Sequence, residues 1–205
     1  MKRSIIILLI LFWVNAQAAF DDYFENKSLR IDYYHTGNND TDIYSIDELL
    51  QEPYWGGSKV NLIDVFNYGK YKFMVYDAGN NALIYSYTYN TLFSEWQTTN
   101  EAKTTFKSFS ETVIMPFPKK PVRCEFYSRN KKGIFEKKFE YSIDPKNYFI
   151  VKQQRQVYPK IDILNSGDPA VNVDIVVIPE GYTDKEMDKF IKDANKFADY
   201  LFNAI

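Results

Sequence analysis

Residues Lys70 to Asp77 (KYKFMVYD), Ala78 to Asn81 (AGNN) and Ala82 to Asn90 (ALIYSYTYN) follow one another without interruption. In both arms apolar side chains recur with period two, the spacing that turns alternate residues to opposite faces of a strand. The Gly and Asn residues between them tolerate the positive φ of a tight turn. The stretch predicts a β-hairpin.

The same pattern extends outward in both directions. Pro121 to Ser128 and Ile134 to Ser142 flank a polar loop, Arg129 to Gly133, which predicts a second hairpin. Leu29 to His35, Thr41 to Ile46, Thr104 to Met115 and Tyr148 to Tyr158 read as further strands, giving seven or eight in all. Short strands at regular spacing with no intervening helical pattern predict a mainly β fold, an antiparallel immunoglobulin-like β-sandwich over residues 19–160. On that sandwich Leu83, Tyr85, Tyr87 and Tyr89 share one strand face. They are either an aromatic platform for sugar or peptide or an ordinary packed sheet face, because Tyr is favoured in strands. Trp55, beside Gly56 and Gly57, is either an exposed anchor or a cover over the end of the sandwich.

Composition narrows the function. The 205 residues carry 25 Lys+Arg, 27 Asp+Glu, one His and one Cys. A near-neutral chain lacks the basic excess of nucleic-acid binders, so no nucleic-acid partner is expected. The single Cys124 forms no internal disulfide and reads as a small buried hydrophobe. Any complete metalloenzyme or Ser-His-Asp reading must hang on His35 alone, and one His cannot supply a three-ligand zinc site of the usual His-rich kind. Basic residues concentrate between positions 119 and 160, with 12 Lys+Arg against 4 Asp+Glu. Such a stretch either faces an acidic partner or clothes the solvent side of one hairpin, where charge also discourages edge-to-edge aggregation.

The first 18 residues read as an address. Lys2 and Arg3 precede an apolar run from Ile5 to Val14, and Ala16-Gln17-Ala18 supplies a cleavage site before Ala19. The run is too short for a membrane span, which needs about 20 apolar residues. An exported protein with no stable span after cleavage is expected.

Beyond Asp168 the pattern changes. Val171 to Ile178 ends in four consecutive β-branched residues, suited to a strand covered on both faces. Pro179 to Tyr182 makes a short connection, and Thr183 with Glu186 has capping-box spacing. Met187, Phe190, Ile191, Ala194, Phe197, Ala198, Leu201, Phe202 and Ile205 follow at spacings of three and four, an amphipathic helix. Residues 161–205 therefore read as the first βα unit of an incomplete α/β domain. Glu180 is a candidate carboxylate at the strand end, or a residue bonding nearby amides. Gly181 alone makes no phosphate cradle.

The run Ser166 to Thr183 (SGDPAVNVDIVVIPEGYT), continued by Glu186, Phe190, Asp193 and Ala194, resembles the opening of the catalytic domain in the M64 family of secreted zinc metallopeptidases, also called IgA peptidase M64. The β-rich segment before it is similar to that family's N-terminal β-sandwich. The resemblance implies peptide-bond hydrolysis by a zinc-bound water, with a His-Glu-x-x-His helix as ligands and base. No such motif occurs in these residues, so no catalytic or metal residue is carried over, and no cofactor is expected in this chain. The expectation is the N-terminal portion of an exported M64-type peptidase, truncated and inactive alone. Its partners would be the remainder of the peptidase domain and the protein substrate of the full-length enzyme. The alternatives are an exported sandwich that binds peptide or glycan, or a purely structural domain.

Overall fold

The computed structural model describes residues 20–154, 156–168 and 172–203. The expected signal segment, residues 1–18, lies outside the described residues.

A short helix, α1 (Phe20–Tyr23), leads into eight strands: β1 (Phe24–Gly37), β2 (Asp42–Glu52), β3 (Tyr71–Asp77), β4 (Leu83–Tyr89), β5 (Lys107–Pro118), β6 (Val122–Arg129), β7 (Phe135–Ile143) and β8 (Val151–Lys152). They form two four-stranded sheets, β5-β1-β2-β8 and β4-β3-β6-β7, antiparallel except where β8 runs parallel to β2. The fold is the expected sandwich. Period-two alternation is the cause: Leu29, Ile31 and Tyr33 of β1, Phe73 and Val75 of β3, Val113 and Met115 of β5, and Val122, Cys124 and Phe126 of β6 are all buried in one shared core. Phe126 packs on Tyr33, Tyr44, Phe73 and Phe139, with ring centroids 5.0 to 5.7 Å away. Truncating so enclosed a ring to Ala costs about 3–5 kcal/mol.

Both expected hairpins form. In the first, the Asp77 carboxylate accepts the Gly79 and Asn80 amides, and the residue with positive φ is Asn81 (58°). In the second, the Asn130 side chain accepts the Lys132 and Ile134 amides, and Gly133 takes φ 77°.

Several elements depart from expectation. β5 starts at Lys107 and runs through Pro116 to Pro118 instead of ending at Met115. A strand tolerates those prolines because β5 is an edge with one unpaired side. Among the described residues of the strand expected from Tyr148 to Tyr158, only Val151–Lys152 are paired, and Tyr148, Phe149, Val157 and Tyr158 are exposed. Short helices do intervene: α2 (Leu92–Trp96) and a 3₁₀ turn (Glu101–Lys103) sit between β4 and β5. They close one end with a small cluster of Tyr71, Phe93, Trp96 and Ala102.

The largest correction concerns the C-terminal segment. Residues 172–178 form no strand, and Val173, Ile175, Val176 and Ile178 are exposed. A β-branched run becomes a strand only where neighbours supply pairing and cover. The helix, α3 (Met187–Asn203), does form after a 3₁₀ turn (Asp184–Glu186). Its start is capped as expected, with the Glu186 carboxylate accepting from the Thr183 amide at 3.0 Å and hydroxyl at 2.7 Å. Of its apolar stripe only Ala194 is buried, while Phe197, Leu201 and Phe202 are exposed. Among the described residues no helix is long and apolar enough to cross a membrane.

Candidate functional site

The alternation that fills the core also carries polar groups into it near one end. Tyr33 and His35 are two residues apart on β1 and both point inward. The Glu111 carboxylate on β5 accepts from the Tyr33 hydroxyl at 2.8 Å and lies 3.1 Å from His35 Nδ1. Tyr33 and Tyr89 share a further hydrogen bond at 3.1 Å, which reaches the other sheet. On the far side of the imidazole, Asp42 Oδ2 lies 4.0 Å from Nε2, beyond hydrogen-bond distance. Asp42 accepts from the Ser128 hydroxyl, which is 3.1 Å from the Tyr44 hydroxyl. Tyr89, Tyr33, Glu111, His35, Asp42, Ser128 and Tyr44 thus form a polar seam across the sandwich.

Electrostatics follow from this enclosure. Burial pulls the Glu111 carboxyl upward, but its hydrogen bonds, that with His35 first, outweigh it and hold it below the usual carboxylate range. Burial, reinforced by Tyr89 and Glu111, drives the Tyr33 hydroxyl far above its ordinary value, and burial does the same at Tyr44.

A His-carboxylate pair suggests general-base chemistry, but access forbids it. The His35 side chain has 0% exposure. Its ring is stacked against Tyr44 at 4.2 Å and lies 3.8 Å from Phe93, with the Tyr71 edge at 5.1 Å. No substrate reaches a group so enclosed. The Tyr33–Tyr89 and Tyr44–Ser128 hydrogen bonds tie the two sheets together, while among the described residues His35 Nε2 and one Glu111 oxygen are buried without a hydrogen-bond partner. Nor do these residues fit the zinc that the M64 resemblance implies: the imidazole is boxed by aromatic rings, and among the described residues no three His, Cys, Asp or Glu side chains converge as metal ligands.

The other singled-out residues are accounted for individually. Tyr85, Tyr87 and Tyr89 stand opposite Val75, Phe73 and Tyr71 and pack against the core, and burial raises all three hydroxyls. Trp55 packs edge-on against Tyr85 at 5.9 Å and donates its indole N–H to the Ser58 carbonyl at 3.1 Å. These aromatics are cover, not platform. Cys124 is fully buried and its thiol is pushed well up by desolvation. Glu180 is exposed in the turn where the Tyr182 amide bonds the Pro179 carbonyl and Gly181 takes φ 84°. Within the basic 119–160 stretch, Arg123 of β6 and Lys137 of β7 both pair with the buried Glu125 carboxylate, at 3.1 and 3.2 Å.

A groove of about 750 Å³ lies beside Tyr54, lined by Glu52, Pro53, Gln153, Gln154, Gln156 and Tyr158. Its one carboxylate, Glu52, faces Arg30 at 3.7 Å, and it gathers no nucleophile, base or metal set.

Sequence reasoning found His35 but missed its partners. Glu111 lies 76 residues along the chain, and Asp42, only seven residues away, reaches the imidazole through a β1–β2 register that no local pattern reveals.

Comparison with known families gives two matches in chain order. A family model described as Peptidase M64 N-terminus matches residues 19–140, and one described as IgA Peptidase M64 matches residues 161–205. No curated protein matches the chain.

Proposed function

Because the chain belongs to the M64 peptidase family, carrying its N-terminal domain and the start of its peptidase domain, we propose that it serves an exported zinc metallopeptidase as a noncatalytic sandwich of residues 19–160 joined to the opening of the peptidase domain at 161–205, without hydrolytic activity of its own.

The observation that carries this reading is the pairing of those matches with a chain that has one histidine, enclosed in the sandwich core. A catalytic zinc needs three protein ligands and an open position. The sandwich interior is filled by its own side chains, which suits a domain that supports or positions a neighbour. In the full-length protein the remainder of the peptidase domain would supply zinc, ligands and the general base, and its substrate would be a polypeptide. Export is supported by the apolar run and the Ala16-Gln17-Ala18 site ahead of the first matched residue.

The test is metal analysis and peptide hydrolysis on the purified chain. The expected result is far less than one zinc per chain after dialysis and no cleavage above blank. One tightly held zinc per chain, lost in His35→Ala, would overturn the proposal. N-terminal sequencing of exported material is expected to begin Ala19-Phe20-Asp21; retention of Lys2 and Arg3 in a membrane fraction would sink the export reading.

A further inference from the structure

The connections 38–41, 64–70, 90–106 and 129–134 gather at one pole of the sandwich, because β1, β4 and β6 end there and β2, β3, β5 and β7 begin there. The chain leaves the sandwich from the opposite pole, where β7 ends at Ile143 and β8 pairs with Leu50 and Gln51.

At the first pole one loop turns its apolar side chains outward. Val65 is 76% exposed, Phe66 69% and Tyr68 86%, and the two rings stack at 5.7 Å and 25°. Exposure of three apolar groups within four residues is costly in water, and a loose loop would fold them inward. This loop is held fast. The Asp64 carboxylate accepts the Phe66 amide at 2.8 Å, the Asn67 amide at 3.2 Å and the Thr88 hydroxyl at 2.6 Å. Asn67 takes the left-handed conformation at φ 55°, and Lys72 binds its side-chain oxygen at 2.7 Å. Arg129 donates to the Asn67 and Gly69 carbonyls. Gly69 lies so close to β4 that a Cβ there would meet the Tyr89 amide nitrogen at 2.3 Å.

Arg129 also ties in the neighbouring hairpin loop, donating to the Gly133 carbonyl at 2.5 Å. That loop presents exposed Lys131 and Lys132, with Ile134 59% exposed beside them. Lys131 pairs with Asp40 at 3.0 Å, but its side chain is 91% exposed, so the pair is solvated and exchangeable. A rigid aromatic tip beside lysines suits a polar-apolar boundary of negative charge: rings settle at headgroup level and lysines face the phosphates. A glycan site would instead surround its ring with polar donors, and Phe66 has no polar atom.

We propose that Val65, Phe66 and Tyr68, flanked by Lys131 and Lys132, form a docking knuckle for an anionic lipid surface. The proposal stands independently of the peptidase reading. It places the sandwich between a membrane surface at one pole and the chain's departure at the other.

The experiment is co-sedimentation of the chain from Ala19, which contains every described element, with phosphatidylcholine vesicles with and without phosphatidylglycerol. Binding is expected with the anionic vesicles and only weakly with neutral ones. Phe66→Ser with Tyr68→Ser lowers partitioning at least tenfold. Lys131→Gln with Lys132→Gln lowers it about twenty-five-fold at low salt, since each lysine facing an anionic leaflet is worth roughly fivefold. Tyr54→Ser, an exposed ring at the opposite pole, leaves it unchanged. Should the double serine variant misfold, Phe66→Trp reports instead, its emission moving to the blue when anionic vesicles are added. Equal binding by wild type and variants, no spectral shift, equal binding to neutral vesicles, or a dimer dissolved by the Phe66 and Tyr68 substitutions would each overturn the proposal.

Discussion

The Tyr87 hydroxyl on β4 accepts the Ile114 backbone amide on β5 at 3.2 Å. Each strand is the edge of a different sheet, so one hydrogen bond from a core tyrosine stitches an open side of the sandwich. Tyr87→Phe keeps the ring and removes the stitch. The expected loss is about 1 kcal/mol, read as a lower urea midpoint with an unchanged slope, because Ile114 is partly exposed and water can serve its amide.

Acid is expected to loosen the protein through its paired carboxylates. Asp32 is held below its usual value first by the hydrogen-bonded Arg30 guanidinium and also by Thr112, against the opposing pull of burial. Glu111 is likewise depressed, burial notwithstanding. A carboxyl whose folded pKa is depressed contributes stability above its unfolded pKa, near 4, and loses it as pH falls through the folded value. The urea midpoint is therefore expected to fall from about pH 5 downward. Glu111→Gln lowers stability at pH 7 by about 1–3 kcal/mol and flattens the acid limb. A limb as steep as wild type's in that variant would contradict the assignment.

Cys124 is expected to be silent toward a thiol reagent in the native protein and to react fully in denaturant. It is enclosed between strands, with Met115 Sδ 4.0 Å from its sulfur, and the thiolate is disfavoured by burial. Cys124→Ser places a hydroxyl where the nearest group is that thioether, and costs about 1–3 kcal/mol in denaturant unfolding.

Limited proteolysis is expected to cut between about Tyr158 and Tyr182 and to leave a stable sandwich beginning near Phe20. Residues 172–178 have no sheet partner, and the stripe on α3 is largely uncovered. Fully burying a Leu, Ile or Phe side chain contributes roughly 1.5–3 kcal/mol, and most of that is absent here. Hydrogen exchange as slow in α3 as in the hairpin of β3 and β4 would refute the division into two units.

How far the sequence carried these conclusions depends on the range of the interaction concerned. The hairpin of β3 and β4 was legible because its alternation and its turn residues are neighbours in the chain. The capping box of Thr183 and Glu186 was legible for the same reason. The strand expected over 171–178 was misread because its β-branched run records a demand for partners, and no partner is present among the described residues. Pro116 and Pro118 looked like a strand end, and only the edge position of β5 shows why they are not. α2 spans five residues, too few for a helical period to stand out. The hydrogen bonds of the polar seam join residues 56 to 86 positions apart, so Glu111 could not be assigned to His35 from spacing. Phe66 and Tyr68 gave no signal either, since their outward aim is set by Arg129 from another hairpin.

The two residue pairs joining β8 to β2, Leu50 with Val151 and Gln51 with Lys152, have a mechanical meaning. With the Gln153 amide on the Gln51 carbonyl at 2.9 Å, they form a latch where the chain leaves the sandwich. Tension applied downstream meets these few bonds before it meets the long pairings of β1 with β2 and β5. The latch is thus the part of the sandwich that first feels whatever moves beyond Gln153, and the part with the fewest bonds to lose.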